Sequence, residues 1–292
     1  MTDQELQQLR REKWRLNGEG LQTFEQAAEF VESVGFCLMY PLKPMPLVPT
    51  FMGAFVGSDE NLPNWQHAFS DPRAQEATQM MVRLLRQRAA YEANLFGLEN
   101  NFLVAASAFP YFYALVGDRN PRHVSKPGVS SGYSPLARDA FEGIRREGVI
   151  SKQKLAHVIG GSVSAAALDH ALGELWSKLR ITRVDYDPKV GASWDALYRW
   201  SPDAVREGIN LSVGEALSAL VSKYLECVVA AEPQEVQEFF GKLVPRSKVK
   251  EALNTLLAAR ELSFVRVGSR SLVQITPPRE EPVVPRERRR RA

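Results

Sequence analysis

Two clusters of basic and amide side chains define the chemistry open to this chain. The first is Arg246, Lys248, Lys250 and Asn254, with Arg266 and Arg270 close behind. Lys and Arg grip phosphate and Asn pairs with base edges, so the grouping points to nucleic acid, although the same residues would also serve as a solvated helix face. The second cluster is Arg73, Arg83, Arg86 and Arg88. Arg83 and Arg86 are three apart and share a face of any helix there. Trp65-Gln66-His67 offers two rings that can stack on an extruded base and line a pocket, although the commoner role of a loop Trp, and the one favoured here, is to anchor to the core. Other chemistries find no support. His67, His123, His157 and His170 are scattered, none at ligand spacing, so no metal site is expected. Cys37 lies in an apolar run without a basic neighbour and reads as an inert core thiol. Neither Gly160-Gly161 nor Gly18-Glu19-Gly20 forms a phosphate-cradling loop, there is no Gly-x-Ser-x-Gly elbow, and no cofactor is implied.

The first cluster falls in a C-terminal half that repeats one unit twice. In residues 212–276, Ser212 with Glu215 forms a capping box for a helix bearing Leu217, Leu220, Val221, Tyr224, Leu225 and Val228. A short helix follows over 233–242. Ser247 is expected to cap a third, with Val249, Leu253, Leu256 and Leu257 inward. Two alternating runs, 262–267 and 271–276, join through Gly268 as a hairpin. Residues 134–201 follow the same order. Ser134-Pro135 starts a helix that Gly148 ends, and Ser151 caps a second; Gly160-Gly161 makes the turn, and Ser162 or Ser164 opens a third. Strands over 181–186 and 196–200 flank a loop with Asp187, Pro188 and Gly191. Three helices and a hairpin make a winged helix-turn-helix, which most often binds nucleic acid or protein. The third helix of this copy offers Asp169, His170, Glu174 and Lys178, a mixed face suited to structure or to a protein partner.

The N-terminal half begins with a polar helix over 2–16, read as a loosely packed arm. Thr23 with Gln26 caps a helix to about Ser33. An apolar run through Tyr40 leads into a loop with Pro44, Pro46 and Pro49. Asp71-Pro72 starts a long helix predicted to reach about Phe96, and an aromatic segment spans 102–113. Residues 119–133 are rich in Pro, Gly and Ser and read as a linker.

Two segments carry a resemblance. Glu32-Ser33-Val34-Gly35-Phe36-Cys37-Leu38-Met39-Tyr40-Pro41 is similar to the Leu-Gly-x-Val-Gln-Leu-Asp-Pro-like strand of the bacterial AlkZ-type (YcaQ-like) winged-helix DNA glycosylases. Ala105-Ala106-Ser107-Ala108-Phe109-Pro110 is similar to their Ala-Ser-x-Leu-Pro-like segment, and two winged helices trail behind. The resemblance covers residues 20–276. It implies three tandem winged helices with duplex DNA in a concavity, and a role in DNA repair. Members carry Gln-Φ-Asp or Gln-Φ-Gln, with Φ apolar, to position the water that replaces the excised base. Those positions fall here on Leu38 and Tyr40. Leu cannot orient water, and Tyr, with a reference pKa of about 10, is a poor base at pH 7. The expectation is a DNA-binding protein without the usual base excision. The alternatives are an active glycosylase whose water is supported by Tyr40, Glu32 or Glu92, and a protein-interaction scaffold acting through the first repeat.

Composition agrees with a globular chain. It is 292 residues long, 45% hydrophobic and 24% charged, with two cysteines, which excludes a disulfide framework and suggests a reducing cytoplasm. No apolar run reaches the roughly 18 residues of a membrane span, and the polar N-terminus lacks the regions of a secretory signal. Residues 277–292 hold six Arg and three Glu, the whole of the +3 net charge, and read as a disordered tail attracted to phosphate or merely solubilising. The expected fold is mainly α with small β-hairpins (α+β). The predicted division is an arm (1–20), a glycosylase-like winged-helix region (21–118), a linker (119–133), two winged helices (134–205 and 206–276) and the tail (277–292).

Overall fold

Side-chain caps fix where most helices begin, and strand pairing decides where they stop. The computed structural model describes residues 1–42, 46–68, 70–96, 101–123, 132–160, 163–187 and 189–278. A first helix, α1 (Asp3–Lys13), starts at a Thr2–Glu5 capping box. Unit one then runs α2 (Phe24–Val34), β1 (Phe36–Leu38), α3 (Phe51–Val56), α4 (Pro72–Arg86), β2 (Ala90–Ala93) and β3 (Phe102–Ala105). Its sheet order is β1-β3-β2. After α5 (Phe109–Val116), unit two runs α6 (Pro135–Glu147), β4 (Ile150–Ser151), α7 (Lys152–Ile159), α8 (Ala165–Trp176), β5 (Ile181–Asp187) and β6 (Gly191–Ala196), in the order β4-β6-β5. Helices α9 (Leu197–Trp200) and α10 (Pro202–Asn210) lead to unit three. That unit comprises α11 (Val213–Val228), α12 (Pro233–Phe240), α13 (Arg246–Ala258), β7 (Leu262–Val267) and β8 (Arg270–Ile275). Ala231 bridges Val273 on β8 and takes the place of the short first strand. All three units therefore share one order, with the last strand central, and this is the element order of a winged helix.

The units do not have three separate cores. Unit two encloses its own, around Phe141, Trp176 and Trp194. Units one and three share another. Phe36 of β1 stacks on Tyr224 of α11 and Phe239 of α12, with centroids 6.4 and 5.8 Å apart. Close approach also ties α10 to α5: a Cβ at Gly208 would meet the Pro110 carbonyl at 2.7 Å.

Several expectations need correction. The 2–16 helix is not a loose arm. Leu6 is 1% exposed and packs with Val267 and Leu272 of the last hairpin. Arg10 is buried and donates from Nε to the Val228 carbonyl (2.9 Å) and from Nη2 to that of Ala230 (2.7 Å). These carbonyls flank Val229, which sits at φ 69°, ψ −55°, a turn rarely tolerated by a β-branched residue. The long helix ends at Arg86 rather than Phe96. Arg88 takes φ 59°, and Ala90–Ala93 pairs with β3, so strand pairing overrides the helix preference of Ala and Glu. Helix α13 begins one residue before the expected cap, because the Pro245 carbonyl accepts from Lys248 N and no side chain caps it. The expected strand 196–200 stops at Ala196, where α9 begins, and α10 had no counterpart in the sequence reading. Part of the linker is tied down: Arg180, 3% exposed, binds the Asp118 carboxylate and donates to the Asn120 and His123 carbonyls. Pro44, Gly161, Ser162, Pro188 and residues 279–292 lie outside the described residues. Among the described residues, no helix is long and apolar enough to cross a membrane.

Candidate functional site

A cavity of about 190 Å³ opens where unit one meets unit two. β1 ends at Leu38 and the chain bends, so the two positions singled out there part company. By strand register Leu38 lies level with Phe102, on the sheet face of Phe36, which packs against unit three. It is fully buried and does not line the cavity. Tyr40 does. Its hydroxyl lies 3.0 Å from Thr78 Oγ1, and Thr78 in turn donates to the Ala74 carbonyl at 2.7 Å. The Tyr40 hydroxyl also lies 3.4 Å from the Ala74 carbonyl, so the two hydroxyls and that carbonyl form one hydrogen-bonded group on α4. Burial raises the Tyr40 pKa above the ordinary phenol value, the Thr78 bond opposing it and the Glu92 and Asp71 charges adding to it.

Glu92, from β2, supplies a carboxylate to the wall and is 4% exposed. Arg183 Nη1, reaching across from β5, lies 2.7 Å from Glu92 Oε1 and 3.0 Å from Oε2. Asn101 Nδ2 donates to Oε1 at 2.8 Å. The guanidinium itself sits 4.7 Å above the Trp176 ring and 5.2 Å from that of Trp194. Trp176 Nε1 donates to the Glu92 backbone carbonyl at 3.0 Å. The carboxylate is thus held by groups from both units.

The rim is aromatic. Trp65 sits on a 3-10 turn started by Asn64, lines the cavity and is 44% exposed, so it is not the core anchor it might have been. His67 ends the same turn, exposed and outside the lining. Tyr186 of β5 lines the cavity and also a neighbouring groove of about 800 Å³. That groove runs along α4 past Gln75, Gln79, Arg83 and Arg86.

The basic set of unit three is divided. Arg246, Lys250 and Asn254 are exposed at i, i+4 and i+8 of α13 and form one stripe. Lys248 lies on another side, 2.9 Å from Glu251. Arg266 is exposed on β7, on the strand face of Phe264, itself 59% exposed. Arg270 pairs across the ladder with Val267, a residue of the α1-facing core, and its guanidinium is bound by Asp3 of α1 with Glu232 at 3.8 Å. None of these residues lines the cavity. Among the described residues, no three of His, Cys, Asp and Glu gather as metal ligands.

The family model for the DNA glycosylase AlkZ-like family matches residues 57–291. The chain belongs to the AlkZ-like DNA glycosylase family. The structure of Streptomyces sahachiroi DNA glycosylase AlkZ is similar to this AlkZ-like chain with a TM-score of 0.60 and 12% identity, over 94% of this chain and 70% of that one. At that identity the likeness concerns the fold. No curated protein matches the sequence. The matched stretch begins at Gly57, beyond the segment holding Leu38 and Tyr40. Sequence reasoning alone missed Asn101, Arg183, Thr78, Tyr186, Gln75 and Gln79. Arg183 had a weak signal available: a charge set between Ile181 and Val184 in a segment expected as a strand beside a core marks a buried pair or a site.

Proposed function

We propose that this AlkZ-like chain binds duplex DNA and receives one extruded base in the Tyr40–Trp65–Glu92 cavity without removing it. The cavity volume of about 190 Å³ supports this reading. It falls below the roughly 300–1,000 Å³ of sites for drug-sized ligands, and so suits one flat ring. An exposed Trp at the rim is the kind of side chain on which such a ring stacks. The observation that carries the absence of chemistry is Glu92. Base excision needs a group that orients or deprotonates water, and the carboxylate on this wall is occupied by Arg183 and Asn101. Tyr40 keeps its proton at pH 7, and Leu38 has none to exchange. The exposed Arg246, Lys250, Asn254 and Arg266 are assigned to the DNA backbone, and the division into three winged-helix modules belongs to the same proposal.

The test is titration against labelled duplex at two salt concentrations, with alkylated duplex assayed for abasic product. Salt-sensitive binding without product is expected. A second reading is favoured by one observation: Glu92 does line the cavity. Abasic product that disappears in Glu92→Gln would establish an active glycosylase. Failure to bind any nucleic acid at low salt would instead turn attention to a protein partner at α8, where Asp169 and His170 are exposed.

A further inference from the structure

Resting on the DNA-binding reading above, we propose that the groove along α4 holds a single unpaired strand rather than the major groove of a duplex. In helix-turn-helix proteins the third helix projects into the major groove. Helix α4 is the third helix of unit one, yet it does not project. Seven of its residues are buried, from Ala74 to Leu85. The β5 hairpin of unit two is fastened beside it by Arg86–Asp185 (2.7 Å) and by the Arg183–Glu92 pair. The Trp65 turn lines the adjoining cavity, which shares Ala68, Thr78 and Tyr186 with the groove. The helix is therefore the floor of a trough.

The groups lining this trough match a strand whose bases are unstacked. Arg83 is exposed and, among the described residues, pairs with no carboxylate; its guanidinium lies 5.5 Å from the Phe24 ring, which orients it without neutralising it. Arg86 shares its charge with Asp185 in a pair exposed at 55% and 35%, weak enough for a phosphate to compete. Gln75 and Gln79 are spaced to offer amides one helical turn apart. Tyr186 lines both groove and cavity and Trp65 lines the cavity where the two adjoin, so the pair provides ring faces for bases leaving the strand. A strand laid on this floor delivers its next base to the cavity. The inference assigns a preference: DNA already opened, as in a bubble or gap, over fully paired DNA.

The experiment is fluorescence anisotropy of the full chain with a labelled duplex, the same duplex carrying a short central bubble, and the single strand. Bubble DNA is expected to bind about tenfold more tightly than the paired duplex, the worth of about one base stack. Trp65→Ala is expected to abolish that preference, weakening bubble binding more than duplex binding, while Trp65→Phe retains it; Arg83→Glu is expected to weaken bubble binding more than duplex binding. Trp65 is exposed enough that its replacement leaves no core void. Equal affinity for bubble and duplex, or equal loss for both in Trp65→Ala, overturns this inference alone. No binding to any of the three overturns the DNA-binding reading as well.

Discussion

Burial makes the Tyr40 hydroxyl hold its proton more tightly than a free phenol, and the Glu92 carboxylate is engaged by Arg183 and Asn101. Both follow from placement. The Tyr40 hydroxyl is hydrogen-bonded to α4, so Tyr40→Phe is expected to cost about 1 kcal/mol of stability, the ordinary worth of one hydrogen bond, read from the urea midpoint. Glu92→Gln removes one partner of a largely buried ion pair and strands Arg183 between two Trp rings. Breaking such a pair costs about 3 kcal/mol, and calorimetry is expected to show Tm lowered by roughly 5–10 °C. The thiols give a test with a pH sign. Burial pushes Cys227 up to about 12 and raises Cys37 well above an ordinary thiol. The folded state therefore binds these protons more tightly than the unfolded chain. The associated stability is fully present below the free-thiol pKa of about 8.5 and is lost as pH rises toward 12. At pH 8 Ellman's reagent is expected to find no thiol in the native protein and both in denaturant. The inertness of Cys37 was legible from its apolar run; the pairing of Glu92 was not, because its partner lies 91 residues away.

Elements announced by local chemistry were legible, and those set by distant partners were not. The capping boxes at Thr23–Gln26 and Ser212–Glu215 form as their sequences dictate. The end of α4 does not, since Ala89 to Ala93 would suit a helix and becomes a strand only because β3 is there to pair with it. The polarity of residues 2–16 suggested a loose arm for a similar reason. Its few apolar positions, Leu6 above all, are sufficient once the hairpin of unit three supplies a surface. Leu6→Ala is expected to destabilise by about 3 kcal/mol, read from the urea midpoint, and by far less if the helix were free in solution. On α13 the two lysines are expected to separate. Lys250→Ala weakens DNA binding and lowers the salt slope by about 1, whereas Lys248→Ala, on another side of the helix from the Arg246–Lys250–Asn254 stripe, has the smaller effect.

At the scale of the whole molecule, the three units are alike in order and unlike in dependence. Repetition in the sequence disclosed the second and third units. It could not disclose that the first and third share a core, because an apolar face reads the same whether it is covered from within its unit or by another. That sharing has a kinetic consequence. Phe36 has its partners at Tyr224 and Phe239, and Asp3 closes on Arg270. Emerging from the ribosome, unit one cannot complete the cover over Phe36 until unit two has been made and α11 and α12 follow, whereas unit two, enclosing its own core, is free to fold in the interval. Contacts this distant in sequence make folding slow and leave apolar surface waiting for its cover. Helices α11 and α12 thus complete the cover of a sheet made long before them, and a chain halted before α11 would carry one finished unit and one sheet face without its cover.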